Sequence, residues 1–198
     1  MMEETSSQLP ENTQHLLHLL GKVTEEFKVS DPLFNFNHLL NTYVHLIHDQ
    51  FGYYAVGLHL TEDIDDEWGE DERRFRLRAT TGERGSLLIE NAYSYQIGWA
   101  NSLADWVLQH RQAHIALDVG EEAVYFRNPN FPDTRSEIAL PLITQEQLVG
   151  VLEIKSTKEA AFSSEDIPLL QSLADQLANI IQDVGAFQKQ RKKLVSSE

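Results

Sequence analysis

Cysteine is absent from the 198 residues, which removes disulfides, zinc-thiolate centres and thiol nucleophiles from consideration. Long apolar runs are missing as well: none approaches the roughly 18 residues that a membrane-spanning helix needs. The opening MMEETSSQLPENTQ is acidic and polar, where a secretory leader would have a basic start and an apolar stretch. A cytoplasmic location is therefore expected. Positive charge is scarce, with 16 Lys and Arg against 31 Asp and Glu for a net charge of -15, and both nucleic acid and anionic membrane need a cationic face to bind. Neither is expected as a partner. Nor is there a GxxxxGK[ST] phosphate loop, an HExxH pair, a GxSxG elbow or a kinase catalytic loop.

The chain that remains is 41% hydrophobic, enough for one sizeable core with extra helices. Residues 1–11 read as disordered. Leu16, Leu17, Leu19, Leu20, Val23 and Phe27 recur at helical spacing over 12–30, a helix that needs a partner. Ser30-Asp31-Pro32 ends it, because proline disfavours helical geometry in the residue before it. A second helix is predicted from Phe36 to Gln50, with Leu39, Leu40, Tyr43, Val44 and Ile47 on one face. In the strand Tyr53–Leu60, Tyr54, Val56, Leu58 and Leu60 alternate with Ala55, Gly57 and His59. In Arg73–Thr81, three arginines, Arg74, Arg76 and Arg78, alternate with Phe75, Leu77 and Ala79, giving one wet or ligand-facing side.

Between Glu62 and Glu72, eight of eleven residues are acidic, yet a calcium loop starting at Asp63 would place Trp68 where glycine is required and Arg74 where the bidentate glutamate belongs. A solvated loop fits better. Short helices are predicted at Ser86–Asn91 and Ala100–Gln109 and a strand at Ala113–Leu117, in a stretch rich in aromatics: Tyr93, Tyr95, Trp99, Trp106, Tyr125, Phe126 and Phe131. Strand Ser136–Ile143 alternates. The following strand, Leu148–Lys155, reads as almost continuously apolar, as for a strand covered on both faces. Gln145-Glu146 between them disfavours positive φ, so a type I-based four-residue loop is expected rather than a type I′ turn. Ser163 and Asp166 form a capping-box-like start to a final helix in which Leu170, Leu173, Leu177, Ile180, Val184 and Phe187 recur at steps of three and four.

Two strands, TRSEIALPLI and LVGVLEIKS, followed by the helix FSSEDIPLLQSLADQLANII, resemble the C-terminal half of a GAF domain. The likeness continues upstream in matching order through FNFNHLLNTYVHLIHDQFG, YYAVGLHL, FRLRATTGERG and IGWANSLADWVLQHRQAHIALDV, covering Asn35 to Phe187. It implies an α+β fold: a central antiparallel β-sheet, N- and C-terminal helices on one face, and a lid closing a cavity on the other. It also implies a sensory and dimerising unit, with the GAF-like domain at 31–188 and a basic tail at 189–198. Relatives that attach bilin covalently, and the GAF-fold methionine sulfoxide reductases, rely on cysteines that this chain lacks. Relatives that bind cyclic nucleotides carry a signature of which Asn130-Phe131-Pro132-Asp133 supplies only fragments.

From the resemblance and the alternation, the candidate pocket has walls Trp99, Trp106, Tyr125 and Phe131 and polar groups His59, Arg76, His114 and Glu137. No metal site and no cofactor are expected; haem would have only His59, His110 and His114 to choose from as axial ligand. Leu177, Ile180, Val184 and Phe187 form a candidate homodimer seam. The expectation is a non-catalytic sensory module that binds an unidentified small molecule, dimerises through its terminal helices and signals to a separate protein. The alternative is a structural dimerisation and partner-docking module whose cavity is filled by its own side chains.

Overall fold

A computed structural model describes residues 11–30, 36–62, 74–82, 85–90, 94–98, 102–119 and 128–195. Of the stretch read as disordered, all but Glu11, which opens a helix, lies outside the described residues, as do the acidic stretch after Glu62 and Tyr93, Trp99, Tyr125 and Phe126. Helices α1 (Glu11–Ser30) and α2 (Phe36–Phe51) precede strands β1 (Ala55–Glu62) and β2 (Arg74–Thr80). Then come α3 (Gly85–Glu90), β3 (Ser94–Gln96), α4 (Leu103–His110) and β4 (His114–Ala116). The hairpin β5 (Ser136–Thr144) and β6 (Gln147–Ser156) leads to α5 (Asp166–Val195), which continues helically through most of what the sequence reading assigned to a tail. The strands form one six-stranded sheet in the order β3-β2-β1-β6-β5-β4, each neighbouring pair antiparallel.

Strand alternation sends Val56, Leu58 and Leu60 of β1, Leu152 and Ile154 of β6, and Ile138, Leu140 and Leu142 of β5 to one face. There they join Leu39, Leu40, Tyr43, Val44 and Ile47 of α2, Leu16 and Leu20 of α1, and Leu170, Leu173, Leu177, Ile181 and Val184 of α5 in a single apolar core. A repeat of 3.6 residues on three helices thus meets a period of two on three strands. A hydrogen bond of 2.6 Å between the Thr24 and Tyr43 hydroxyls ties α1 to α2 inside this layer, and burial pushes the Tyr43 phenol up to about 12 although the Thr24 bond opposes the shift. At the start of α5 the Ser163 backbone N–H and side-chain hydroxyl both donate to the Asp166 carboxylate, at 2.7 and 2.8 Å.

Two expectations are corrected here. Gln145 and Glu146 both adopt positive φ, 48° and 64°, and Thr144 pairs with Gln147, so β5 and β6 are joined by a two-residue turn of the I′ kind. The right-handed twist of the flanking strands selects that turn and overrides the preference of two non-glycine residues for negative φ. Leu177 and Val184, assigned to a dimer seam, are 0% exposed within the single chain, because they belong to the core that α5 shares with β5 of the sheet and with α1. Helix α1 finds its partners in α2 and α5. Ile180 is partly buried against the same core, and the Phe187 side chain lies outside what is described.

Candidate functional site

The opposite face of the sheet is built differently. Helix α4 lies across β5 and β6 there, burying Leu103, Ala104, Val107 and Leu108 with Ala139 and Val151 in a smaller core. Leu77, Leu88, Ala55 and Phe131 make a second one. Ser102 caps α4 by accepting the Asp105 N–H at 3.2 Å, and the Asp105 carboxylate accepts the Gly98 N–H at 2.6 Å, which fastens the preceding turn to the helix. Arg111 closes the other end in the left-handed region.

Between these two cores runs a chain of buried charges. His59 Nε2 lies 2.9 Å from Glu153 Oε2, the same oxygen lies 3.2 Å from Lys155 Nζ, and Lys155 reaches Glu137 Oε1 at 2.9 Å. All four residues are less than a tenth exposed. The strand register explains how they meet. Glu153 and Lys155 are two apart on β6 and share a face; Gly57 is the β1 residue opposite Glu153 and Glu137 the β5 residue opposite Lys155. Burial raises the Glu153 carboxyl, but Lys155 and His59 outweigh it and hold the group well below the usual carboxylate range. Lys155 also sits over the Phe131 ring at 5.5 Å, and the His59 ring meets Phe75 edge-on at 5.5 Å.

A cavity of about 40 Å³ adjoins the charges. His59, Glu153 and Lys155 form its ionic side, Leu77, Leu88 and Phe131 its apolar side, and Ser102, Asn128 and Thr80 contribute hydroxyl and amide groups. Gly57 and Ala55 complete the lining. A Cβ at Gly57 would touch Glu153 Oε2 and Leu77 Cδ1 at 3.6 Å, ordinary contact, so a side chain begun there would enter the cavity that Gly57 lines. Gly150 is different: a Cβ there would overlap the His59 carbonyl oxygen, so the close approach of β6 to β1 behind His59 requires glycine.

Of the pocket residues anticipated from the sequence, His59 and Phe131 line this cavity, and Glu137 joins it through Lys155. Trp106 and His114 come together with each other instead. The Trp106 ring stacks on His110 at 4.1 Å and meets His114 at a tilt of 37°, 4.4 Å away, beside α4 and β4 rather than in the lining. Arg76 is placed on the wrong face: it pairs with Leu60 across β1 and β2, and Leu60 belongs to the helix-side core. The register shift between Leu58 and His59 makes Arg78 the extra residue of β2, and Arg78 donates to Asn37 of α2 at 2.6 Å. Trp99 and Tyr125 lie outside the described residues. Sequence reasoning missed Glu153 and Lys155, which it absorbed into an apolar strand. The available signal was two ionisable residues two apart, on one face of a strand assigned to double-sided burial.

Among the described residues no group of three or more His, Asp or Glu side chains is arranged to hold a metal ion, and no helix is long and apolar enough to cross a membrane.

Comparison with known proteins places this architecture. No match was found among curated proteins. The structure is similar to the GAF domain of a phosphoenolpyruvate-protein phosphotransferase from Coxiella burnetii, with a TM-score of 0.67 and 23% identity over 90% of this chain and 99% of that one. It is also similar to a type II free methionine-R-sulfoxide reductase from Thermoplasma acidophilum, with a TM-score of 0.59 and 23% identity over 81% and 96% of the two chains. A free methionine-R-sulfoxide reductase from Neisseria meningitidis, in complex with its substrate, matches with a TM-score of 0.61 and 18% identity over 88% and 93%. At such identities the likeness is one of fold. It nevertheless corrects the expectation of a non-catalytic module, because two of these three structures are enzymes and the fold therefore accommodates catalysis. The model of the GAF domain family matches residues 36–182, everything from the start of α2 into α5, and the chain belongs to that family.

Proposed function

We propose that this GAF domain is a sensory module that binds a small molecule in the cavity between His59, Glu153 and Phe131. The observation that carries the reading is the buried ionic chain itself. Desolvating two carboxylates and an ammonium is costly, and a well-packed apolar set of similar volume is often as stable or more so. The helix-side face of the same strands is packed in that apolar way. Charges retained beside a cavity on the other face are what ligand recognition uses: a mostly apolar pocket with a few fixed polar groups that set orientation. Signalling follows from a population shift, in which the ligand favours one arrangement of α4 over the sheet; α4 is the element to respond because its N-cap Ser102 lines the cavity.

The test is a thermal-shift screen of the full chain against a collection of small metabolites, run in parallel on Gly57→Val. A compound that raises the wild-type melting temperature and leaves the variant unmoved supports the reading. If no compound does so, or both proteins shift alike, the partner-docking alternative takes its place.

A further inference from the structure

Glu153 is only 8% exposed, and it engages both His59 and Lys155 through one carboxylate oxygen, Oε2. The hydrogen bonds and ion pairs of Glu153 among the described residues fall on Oε2, which leaves Oε1 as the oxygen a ligand would meet. The side chain lines the cavity. A carboxylate engaged through one oxygen thus borders a small space whose lining also includes Leu77 and Phe131.

We infer that the cavity takes a small cation bearing N–H donors, an ammonium or amidinium group on a short carbon body, which donates to Glu153 Oε1. This rests on the cavity being the ligand site, and it adds the chemistry of the ligand. A donor is required because the oxygen can only accept. A cation is favoured over a neutral donor because a hydrogen bond between two ionised groups is roughly twice as strong as one between neutral groups, and the net charge of -15 draws cations inward. A small anion would face the Glu153 carboxylate, and the ammonium that could attract it, Lys155, is already held by Glu137 and Glu153. The Phe131 wall tolerates a cation, since it carries Lys155, and aromatic faces attract ammonium groups generally. Size sets the remaining limit. A water-sized group occupies about 10–15 Å³ on this measure, so about 40 Å³ admits only a few heavy atoms.

Saturation-transfer NMR on the full chain tests this, with methylammonium and ethanolammonium as probes. Acetate and tetramethylammonium, which has charge but no N–H, serve as controls at matched ionic strength. The expected result is saturable binding of the two donor cations, weakened about tenfold or more by Glu153→Gln, which removes the charge, and also by Gly57→Val, which fills the space. If acetate or tetramethylammonium binds as well as methylammonium, and Gly57→Val abolishes it, the inference fails while the cavity remains a ligand site. If no probe shows binding sensitive to Gly57→Val, both fall. Should Glu153→Gln fail to fold, the comparison of methylammonium with acetate in wild type and Gly57→Val decides alone.

Discussion

The two faces of one sheet are packed to different ends. Toward α1, α2 and α5, the described core is a single continuous apolar cluster in which side chain after side chain is fully buried. Toward α4 and Phe131 the cover is split into two smaller clusters, with His59, Glu153, Lys155 and Glu137 between them. The same strands supply both faces, so composition alone does not explain the contrast. It lies in which alternate positions hold charge.

The sharpest way to break that contrast is to unbalance the charged face. Lys155→Met leaves Glu137 and Glu153 buried without their shared cation, and removing one partner of a buried ion pair costs about 3–5 kcal/mol. Urea unfolding should show that loss. On the apolar face, Leu177→Ala should cost about 2–5 kcal/mol through lost burial and the cavity left behind, with no change in the response to small cations. A loss on that side that also abolished binding would mean the two faces are not separable.

The alkaline limit belongs to the apolar face too. The Tyr43 phenol titrates at about 12 in the folded chain against 10.0 ordinarily. A raised folded value means that its contribution is complete below pH 10 and is lost as pH climbs from there toward 12. Tyr43→Phe should flatten the fall in stability over that window, measured by denaturation at a series of pH values. The smallest effect is expected at the β5–β6 turn. Glu146→Gly relieves a positive φ of 64° and should raise stability by about 1 kcal/mol, without touching either face.

How much of this was legible beforehand follows the same division. The apolar face could be read almost residue by residue, since helical steps of three and four and strand alternation are one-dimensional signals; Leu39, Leu40, Tyr43, Val44 and Ile47 were found that way. What covers a stripe is not such a signal, which is why Leu177 and Val184 were assigned to a second copy when the chain's own sheet and helices bury them. The charged face depends on register. His59 and Phe131 emerged from alternation and position, but Glu153 and Lys155 gain their meaning only from standing opposite Gly57 and Glu137. Arg76 was misplaced because alternation alone does not say which face of β2 a pocket will occupy. The turn at Gln145-Glu146 was misread because sheet twist, a property of two paired strands, outweighed the local preference of either residue.

The central claim is that the charges of the second face are kept for a ligand and not for the fold. It is tested most directly by urea unfolding, with and without methylammonium, of the wild type and of Glu137→Leu/Glu153→Leu/Lys155→Met, which exchanges the ionic set for an apolar one. The account predicts that the triple variant unfolds at a urea concentration equal to or above that of the wild type, since such exchanges are often neutral or stabilising by about 1–4 kcal/mol. It predicts also that methylammonium raises the midpoint of the wild type alone. A triple variant that unfolds far earlier than the wild type, or one that responds to methylammonium equally, would contradict it.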